Sequence, residues 1–185
     1  MKTNYILIHG SFGSPFSNWI PWLREKIEND GRDVYTPDFP TGVRYQNYEN
    51  WKQLLKVYLN AGILNENTVI YAHSIGPIFI CKFLLEYKIK VKKLIFVQGF
   101  NHGVVNEEYD EVNSTFFIDE DISETKQYCN EIICIYSDNE TYVKNKDEIY
   151  KFAENVATKK VLINGGGHLN SESGFTEFNK LLEYI

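Results

Sequence analysis

Six short apolar runs recur along the chain, separated by longer segments whose apolar residues have helical spacing. Most of the short runs are continuously apolar, which is typical of strands buried on both faces of a parallel sheet. The strands are predicted at Tyr5–His9, Asp33–Tyr35, Thr68–Ala72, Lys93–Gln98, Ile132–Ser137 and Lys160–Ile163. The helices are predicted at Trp19–Asn29, Tyr48–Ala61, Ile75–Tyr87, Lys144–Asn155 and Phe175–Tyr184.

The alternation of strands and helices predicts an α/β fold, a doubly wound sheet of about six mainly parallel strands. Right-handed crossovers would distribute the helices over both faces. A length of 185 residues fits a single domain over 1–185. Residues 99–130 form an irregular excursion, for which we keep two interpretations, a lid over the site and a solvated connection.

A candidate nucleophile lies in Ala72-His73-Ser74-Ile75-Gly76, where a buried strand meets a helix. This is the context of the nucleophile elbow G-x-S-x-G, with Ala72 at the first glycine position. The elbow strains the serine backbone, so the positions two before and two after it must carry little or no side chain. The alternative is an ordinary strand–helix turn with a capping serine.

A serine nucleophile needs a general base, and the best placed is His168. It follows the last strand in the glycine-rich loop Gly165-Gly166-Gly167, where an α/β-hydrolase has its base. His73 adjoins Ser74, but successive side chains diverge, so we expect it to pack beneath the turn.

The acid that orients the base is expected after the preceding strand, where both Asp138 and Glu140 are eligible. The order serine, acid, histidine is that of α/β-hydrolases. All these loops follow the carboxyl ends of strands, where open α/β sheets have their sites. An oxyanion hole is expected from the backbone N–H of Ile75 together with that of Ser11 or Phe12.

Composition narrows the classes of partner. Lys and Arg number 19 against 25 Asp and Glu, a net charge of −6, which argues against nucleic acid. Cys81, Cys129 and Cys134 have neither zinc nor redox spacing, and no His, Cys or Asp cluster has ligand spacing. No phosphate-binding glycine loop is present. We therefore expect no metal or organic cofactor.

The apolar N-terminal run is too short for a signal peptide, and no stretch reaches the length of a membrane span. These features favour a cytoplasmic protein without a membrane partner.

The chain resembles the small α/β-hydrolases of the YdeN-like, retinoblastoma-binding-protein-nine-like group. The resemblance covers nearly the whole chain and rests on Ile8-His9-Gly10, Trp19-Ile20-Pro21-Trp22-Leu23, Asp30-Gly31, Pro37-Asp38-Phe39-Pro40, Trp51, Ala72-His73-Ser74-Ile75-Gly76 and Gly165-Gly166-Gly167-His168. It implies a compact sheet without a large cap domain and serine-hydrolase activity on ester-like substrates. It also implies Ser74 as nucleophile and His168 as base.

The acid is where the chain departs from this family. In an ungapped match to the family's sequence around its catalytic Asp, that Asp aligns with Glu140. A proline of the family, farther along the same stretch, aligns with Lys144. Glutamate serves in this fold, although its extra methylene displaces the carboxylate by one bond length, about 1.5 Å. We favour Glu140 and keep Asp138 as the alternative acid.

These observations predict a serine hydrolase that cleaves a small acyl ester through an acyl-enzyme on Ser74. Two alternatives stay open. One is a non-catalytic protein-interaction member of the same fold, since fold does not fix function. The other is a thioesterase, amidase or acyltransferase that uses the same triad.

Overall fold

The chain folds around a six-stranded sheet in the order β2-β1-β3-β4-β5-β6, with every neighbouring pair parallel. This computed structural model describes residues 2–102 and 105–185. The strands are β1 (Asn4–Ile8), β2 (Asp33–Tyr35), β3 (Thr68–His73), β4 (Lys93–Val97), β5 (Ile132–Ser137) and β6 (Lys159–Ile163). The predicted α/β sheet of six strands is confirmed, and Gln98 lies just beyond β4 rather than within it.

Five α-helices connect the strands in the described residues: α1 (Ile20–Asn29), α2 (Tyr48–Asn60), α3 (Gly76–Tyr87), α4 (Glu107–Asn113) and α5 (Asp147–Val156). Short 3₁₀ helices cover Ser114–Phe116, Ile122–Gln127, Ser171–Ser173 and Asn179–Tyr184. Helix α5 begins three residues later than predicted because the amides of Thr141, Tyr142 and Val143 turn around the Glu140 carboxylate.

The predicted α-helix Phe175–Tyr184 is wrong in type, since the segment forms a 3₁₀ helix only from Asn179. Phe178, Leu181 and Tyr184 are buried against the sheet at intervals of three. Three residues per turn is the period of a 3₁₀ helix, which aligns all three side chains on one face.

The sheet buries apolar side chains on both faces, as its continuous apolar strands require. Alternate strand residues such as Ile6, Ile70 and Phe96 pack with α2, α3 and α5. Their neighbours, such as Leu7 and Tyr71, pack with α1 and the C-terminal 3₁₀ segment. The strands therefore carry helices on both sides, and only their ends are available for chemistry.

The 99–130 excursion is more structured than an irregular connection. It contains α4 and two 3₁₀ helices, and Phe100, Phe116 and Ile122 are buried in the core on the α3 side of the sheet. Residues 103 and 104 of the predicted excursion lie outside the described residues. Because both ends are anchored in the core, α4 is held over the carboxyl end of the sheet.

The register of the sheet aligns the strand ends that precede the candidate site residues. Ile8 pairs with Ala72, His73 with Val97, and Ser137 with Ile163. The loops after β1, β3, β5 and β6 therefore converge at one edge, as the parallel topology predicts.

Candidate functional site

Ser74 lies in a strained turn between β3 and α3. Its φ is 60°, a left-handed conformation that is rare for a residue other than glycine. Its amide is bonded to the Val97 carbonyl at 2.9 Å, which fixes the turn to β4. A Cβ on Gly76 would lie 3.2 Å from that of Ala72. The turn therefore tolerates Ala72 because Gly76 has no side chain.

The loop after β1 approaches Ser74 closely at Gly10. A Cβ on Gly10 would lie 2.8 Å from the Cβ of Ser74, so only glycine fits without displacement. His9 holds this loop, since the Phe39 amide donates to its Nε2 at 3.1 Å. The proton is thus on Nδ1, which donates to the Gly10 carbonyl at 2.8 Å. Burial lowers the pKa of His9, in keeping with a neutral ring.

The predicted nucleophile, base and acid are brought together. His168 Nε2 lies 3.1 Å from Ser74 Oγ, and His168 Nδ1 lies 2.8 and 2.9 Å from the two Glu140 oxygens. All three residues are buried, and Ser74 and His168 line a cleft. Because the carboxylate only accepts, Nδ1 carries the proton and Nε2 is free to accept from the serine hydroxyl.

The Glu140 carboxylate is held in its ionised form. Oε1 accepts from the amides of Thr141 at 2.8 Å and Tyr142 at 2.6 Å, while Oε2 accepts from Gln98 Nε2. Burial by itself would raise the pKa of Glu140, but the hydrogen bond and charge of His168, with these donors, leave it below its ordinary value.

Asp138, the alternative acid, points elsewhere. It is exposed, and its Oδ1 accepts from the Gly165 amide at 2.8 Å. Asn139 Oδ1 accepts from the Gly167 amide at 2.7 Å in the same way. These two side chains hold the loop that carries His168, and Glu140 is the acid that contacts the imidazole.

His73 packs beneath the turn as expected and does not face Ser74 as a base. Its Nε2 is bonded to the His168 carbonyl at 3.1 Å. Burial, with the nearby His168, lowers the pKa of His73 to about 3. The ring is therefore neutral and supports the backbone of the base loop.

The candidate oxyanion donors differ in their surroundings. The Phe12 amide already donates to Gln46 Oε1 at 2.7 Å. Within residues 2–102 and 105–185, the amides of Ser11 and Ile75 donate to no loop carbonyl and to no side chain. The structure therefore leaves Ile75 and Ser11 available to an incoming oxygen.

A family model described as serine hydrolase matches residues 5–185. The chain belongs to the serine hydrolase family. The Bacillus subtilis (strain 168) protein YdeN, whose name describes it as a hydrolase, is 26% identical over 179 residues, covering 95% of this chain and 90% of YdeN. The resemblance to YdeN-like α/β-hydrolases is thus confirmed.

Solved structures agree on the fold of this serine hydrolase family member. The crystal structure of the B. subtilis ydeN gene product has a TM-score of 0.83 at 23% identity, covering 99% of this chain and 96% of that chain. A carboxylesterase structure from the Thaumarchaeon Nitrososphaera gargenis has a TM-score of 0.73 at 12% identity, covering 98% of this chain and 88% of that chain.

Sequence patterns missed three polar residues at the site of this family member. Gln98 directly follows β4, and its position at the carboxyl edge is a signal that it faces the site. Gln46 and Tyr109 come from the loop before α2 and from α4, far from any motif. No local pattern identifies them, because only packing brings them to Ser11 and Phe12.

The cleft above Ser74 has a volume of about 460 Å³. Phe12 and Phe100 line it, whereas Phe116 packs in the core against Trp51. Among the described residues, no three His, Cys, Asp or Glu side chains group as metal ligands. No helix in those residues has the length and apolar character needed to cross a membrane.

Proposed function

We propose that this chain hydrolyses carboxylic ester-type substrates through an acyl-enzyme on Ser74. The observation that carries the proposal is the hydrogen-bonded series from Glu140 through His168 to Ser74 Oγ. The similar structure from N. gargenis is that of a carboxylesterase, which favours an oxygen ester as the substrate class.

In the acylation step, Ser74 Oγ attacks the ester carbonyl while His168 Nε2 takes the hydroxyl proton. Glu140 keeps the imidazole in the tautomer with Nδ1–H and stabilises the imidazolium. The amides of Ile75 and Ser11 donate to the oxygen on which negative charge develops.

The tetrahedral intermediate then collapses, and His168 gives its proton to the departing alkoxide, releasing an alcohol. Water enters, His168 removes its proton, and the resulting attack on the acyl carbonyl forms a second tetrahedral intermediate. That intermediate releases the carboxylic acid and returns the proton to Ser74 Oγ. The ester and one water are consumed, and one acid and one alcohol are formed.

The testing experiment is labelling of the purified protein by a fluorophosphonate probe, followed by intact mass. We expect one adduct per chain, lost in Ser74→Ala and in His168→Ala. Ser17→Ala is the matched control, because its hydroxyl also lines the cleft but lies outside the catalytic series. It should label like the wild type.

A well-folded protein that does not label would overturn the proposal and favour the non-catalytic alternative. Labelling with equal turnover of thioesters or anilides would contradict the ester assignment while keeping Ser74 as the nucleophile. A comparison of matched oxygen ester, thioester and anilide substrates, with and without an acceptor alcohol, distinguishes hydrolysis from acyl transfer.

A further inference from the structure

A tyrosine from the excursion reaches the nucleophile. Tyr109 on α4 lines the cleft together with Ser11 and Ser74, and its phenol is close enough to interact with both hydroxyls. Its ring packs beside that of Phe12, with centroids 6.1 Å apart. The one phenol therefore lies beside both the proposed nucleophile and the residue whose amide is a candidate oxyanion donor.

A polar network holds Tyr109 in this position. The Asn106 side chain accepts from the Tyr109 amide at 2.9 Å, and Asn113 Nδ2 donates to the Tyr109 carbonyl at 2.7 Å. The fully buried Asn113 also accepts, through Oδ1, from Ser11 Oγ and Gln46 Nε2, each at 2.9 Å. Helix α4 is thus bonded at its C-terminal end to the loop that carries Ser11.

The same network occupies one of the amides expected at the oxyanion. Because Gln46 Oε1 accepts from Phe12 N at 2.7 Å, that amide is already paired. Only the amides of Ile75 and Ser11 remain available among the predicted donors. Tyr109 lines the same cleft as Ser11 and Ser74, so its hydroxyl is a candidate for a further donor to the same oxygen.

The phenol is a donor at neutral pH. Burial raises the pKa of Tyr109 to about 12, and its contacts with the Ser11 and Ser74 hydroxyls only partly oppose this. A protonated phenol can donate to Ser74 Oγ while Ser74 donates to His168, because a hydroxyl has one donor and two acceptor positions.

We propose that Tyr109 is a catalytic residue whose O–H donates to the substrate carbonyl oxygen as it becomes an oxyanion. After attack, Oγ is bonded to the acyl carbon, and the phenol hydrogen turns to the neighbouring oxyanion. The O–H bond does not break, so no proton is transferred. This role rests on the proposed function.

The test is Tyr109→Phe, which keeps the ring that packs on Phe12 and removes only the hydroxyl. We expect kcat for an ester to fall by about 10²-fold, the effect of losing one oxyanion donor, with KM unchanged. Tyr150→Phe is the control, since Tyr150 is an exposed tyrosine on α5 whose ring packs on Tyr136, away from the cleft. Its kcat should remain that of the wild type.

A second measurement separates an oxyanion contact from a structural role. An alkyl boronic acid forms a tetrahedral anionic adduct on a reactive serine, and Tyr109→Phe should weaken its inhibition by the same factor as kcat falls. Unchanged boronic acid affinity, or a rise in KM without a fall in kcat, would overturn the assignment. If Tyr109→Phe is fully active and Ser74→Ala is inactive, the proposed role of Tyr109 is refuted and the proposed function stands. If the wild-type protein is neither labelled nor active, both the proposed function and the role of Tyr109 are refuted.

Discussion

Two carboxylates that lie two positions apart in the sequence have different surroundings. Glu140 is buried against His168, while Asp138 is exposed and holds the Gly165 amide. The longer glutamate side chain reaches the imidazole from a backbone position that also directs three amides to it. The extra methylene is therefore accommodated by the turn that follows β5.

This difference predicts opposite outcomes for two conservative variants. Glu140→Gln should lower kcat by about 10⁴-fold, because an amide no longer holds His168 in the reactive tautomer. Asp138→Asn should leave kcat close to wild type, since its side-chain oxygen still accepts from Gly165. Steady-state ester hydrolysis measures both, and a crippled Asp138→Asn with a mild Glu140→Gln would reverse the assignment.

Gln98 is a positioning residue for Glu140. Its Nε2 donates to Glu140, and its Oε1 accepts from the Ser137 amide at 3.0 Å. Gln98→Met, similar in size, should lower the free energy of unfolding by about 1–3 kcal/mol by leaving buried polar groups unpaired.

The same variant should reduce kcat by about tenfold, with KM unchanged. A loss of activity of about tenfold is at the lower end of the range found when a residue that orients a catalytic group is removed. Gln53→Met, at an exposed position on α2, is the control and should change neither quantity. Chemical denaturation and initial rates test the pair. A rise in KM alone would show that Gln98 acts on substrate rather than on Glu140.

At the scale of elements, the site depends on the contact between the β1–α1 loop and the β3–α3 turn. The 2.8 Å separation between a Cβ at Gly10 and the Ser74 Cβ leaves no space for a methyl group. Gly10→Ala should therefore displace the oxyanion loop from Ser74 and lower kcat by about 10²-fold, the cost of a misplacement near 1 Å.

Gly62→Ala is the matched control for this change. Gly62 has φ of 71° and open space around it, and it precedes β3 at the opposite edge of the sheet. Its variant should lower the free energy of unfolding by about 1 kcal/mol through backbone strain, with kcat unchanged. Equal losses of activity in the two variants would mean that Gly10 acts through general stability.

At the scale of the whole molecule, buried histidines make folding sensitive to acid. The pKa of His73 is lowered to about 3 in the folded state by burial and by His168, against 6.5 for an ordinary histidine. The unfolded chain therefore binds more protons than the folded one as pH falls below 6.5. Stability from this group is complete above pH 6.5 and declines toward pH 3, and His9 adds an effect of the same sign.

We expect the free energy of unfolding to fall between pH 6.5 and 4.5 with a slope approaching about 1.4 kcal/mol per pH unit for each such histidine. Glu140, whose pKa is below its ordinary value of 4.5, adds to the loss only under more acidic conditions. His73→Phe should flatten the slope by one proton in urea titrations at a series of pH values. An unchanged slope would mean that His73 is not buried as a neutral ring.

The sequence by itself determined the strands, the parallel sheet and the positions of Ser74 and His168 after their strands. These features depend on local causes: continuous apolar runs, a small-residue turn and a glycine-rich loop. Chain order then brings the loops to one edge, because parallel strands have their carboxyl ends together. The C-terminal helix differs in type from the prediction because a spacing of three suits a 3₁₀ helix and, over ten residues, also resembles an α-helical face.

The tertiary structure alone decided which atoms meet. Asp138 and Glu140 are equally eligible by position, and only the turn after β5 directs one of them to His168. The pairing of the Phe12 amide with Gln46, and the arrival of Tyr109 at Ser74, join segments more than thirty residues apart. The placement of Tyr109 depends on the packing of the 99–130 segment on the core, which no short-range pattern encodes.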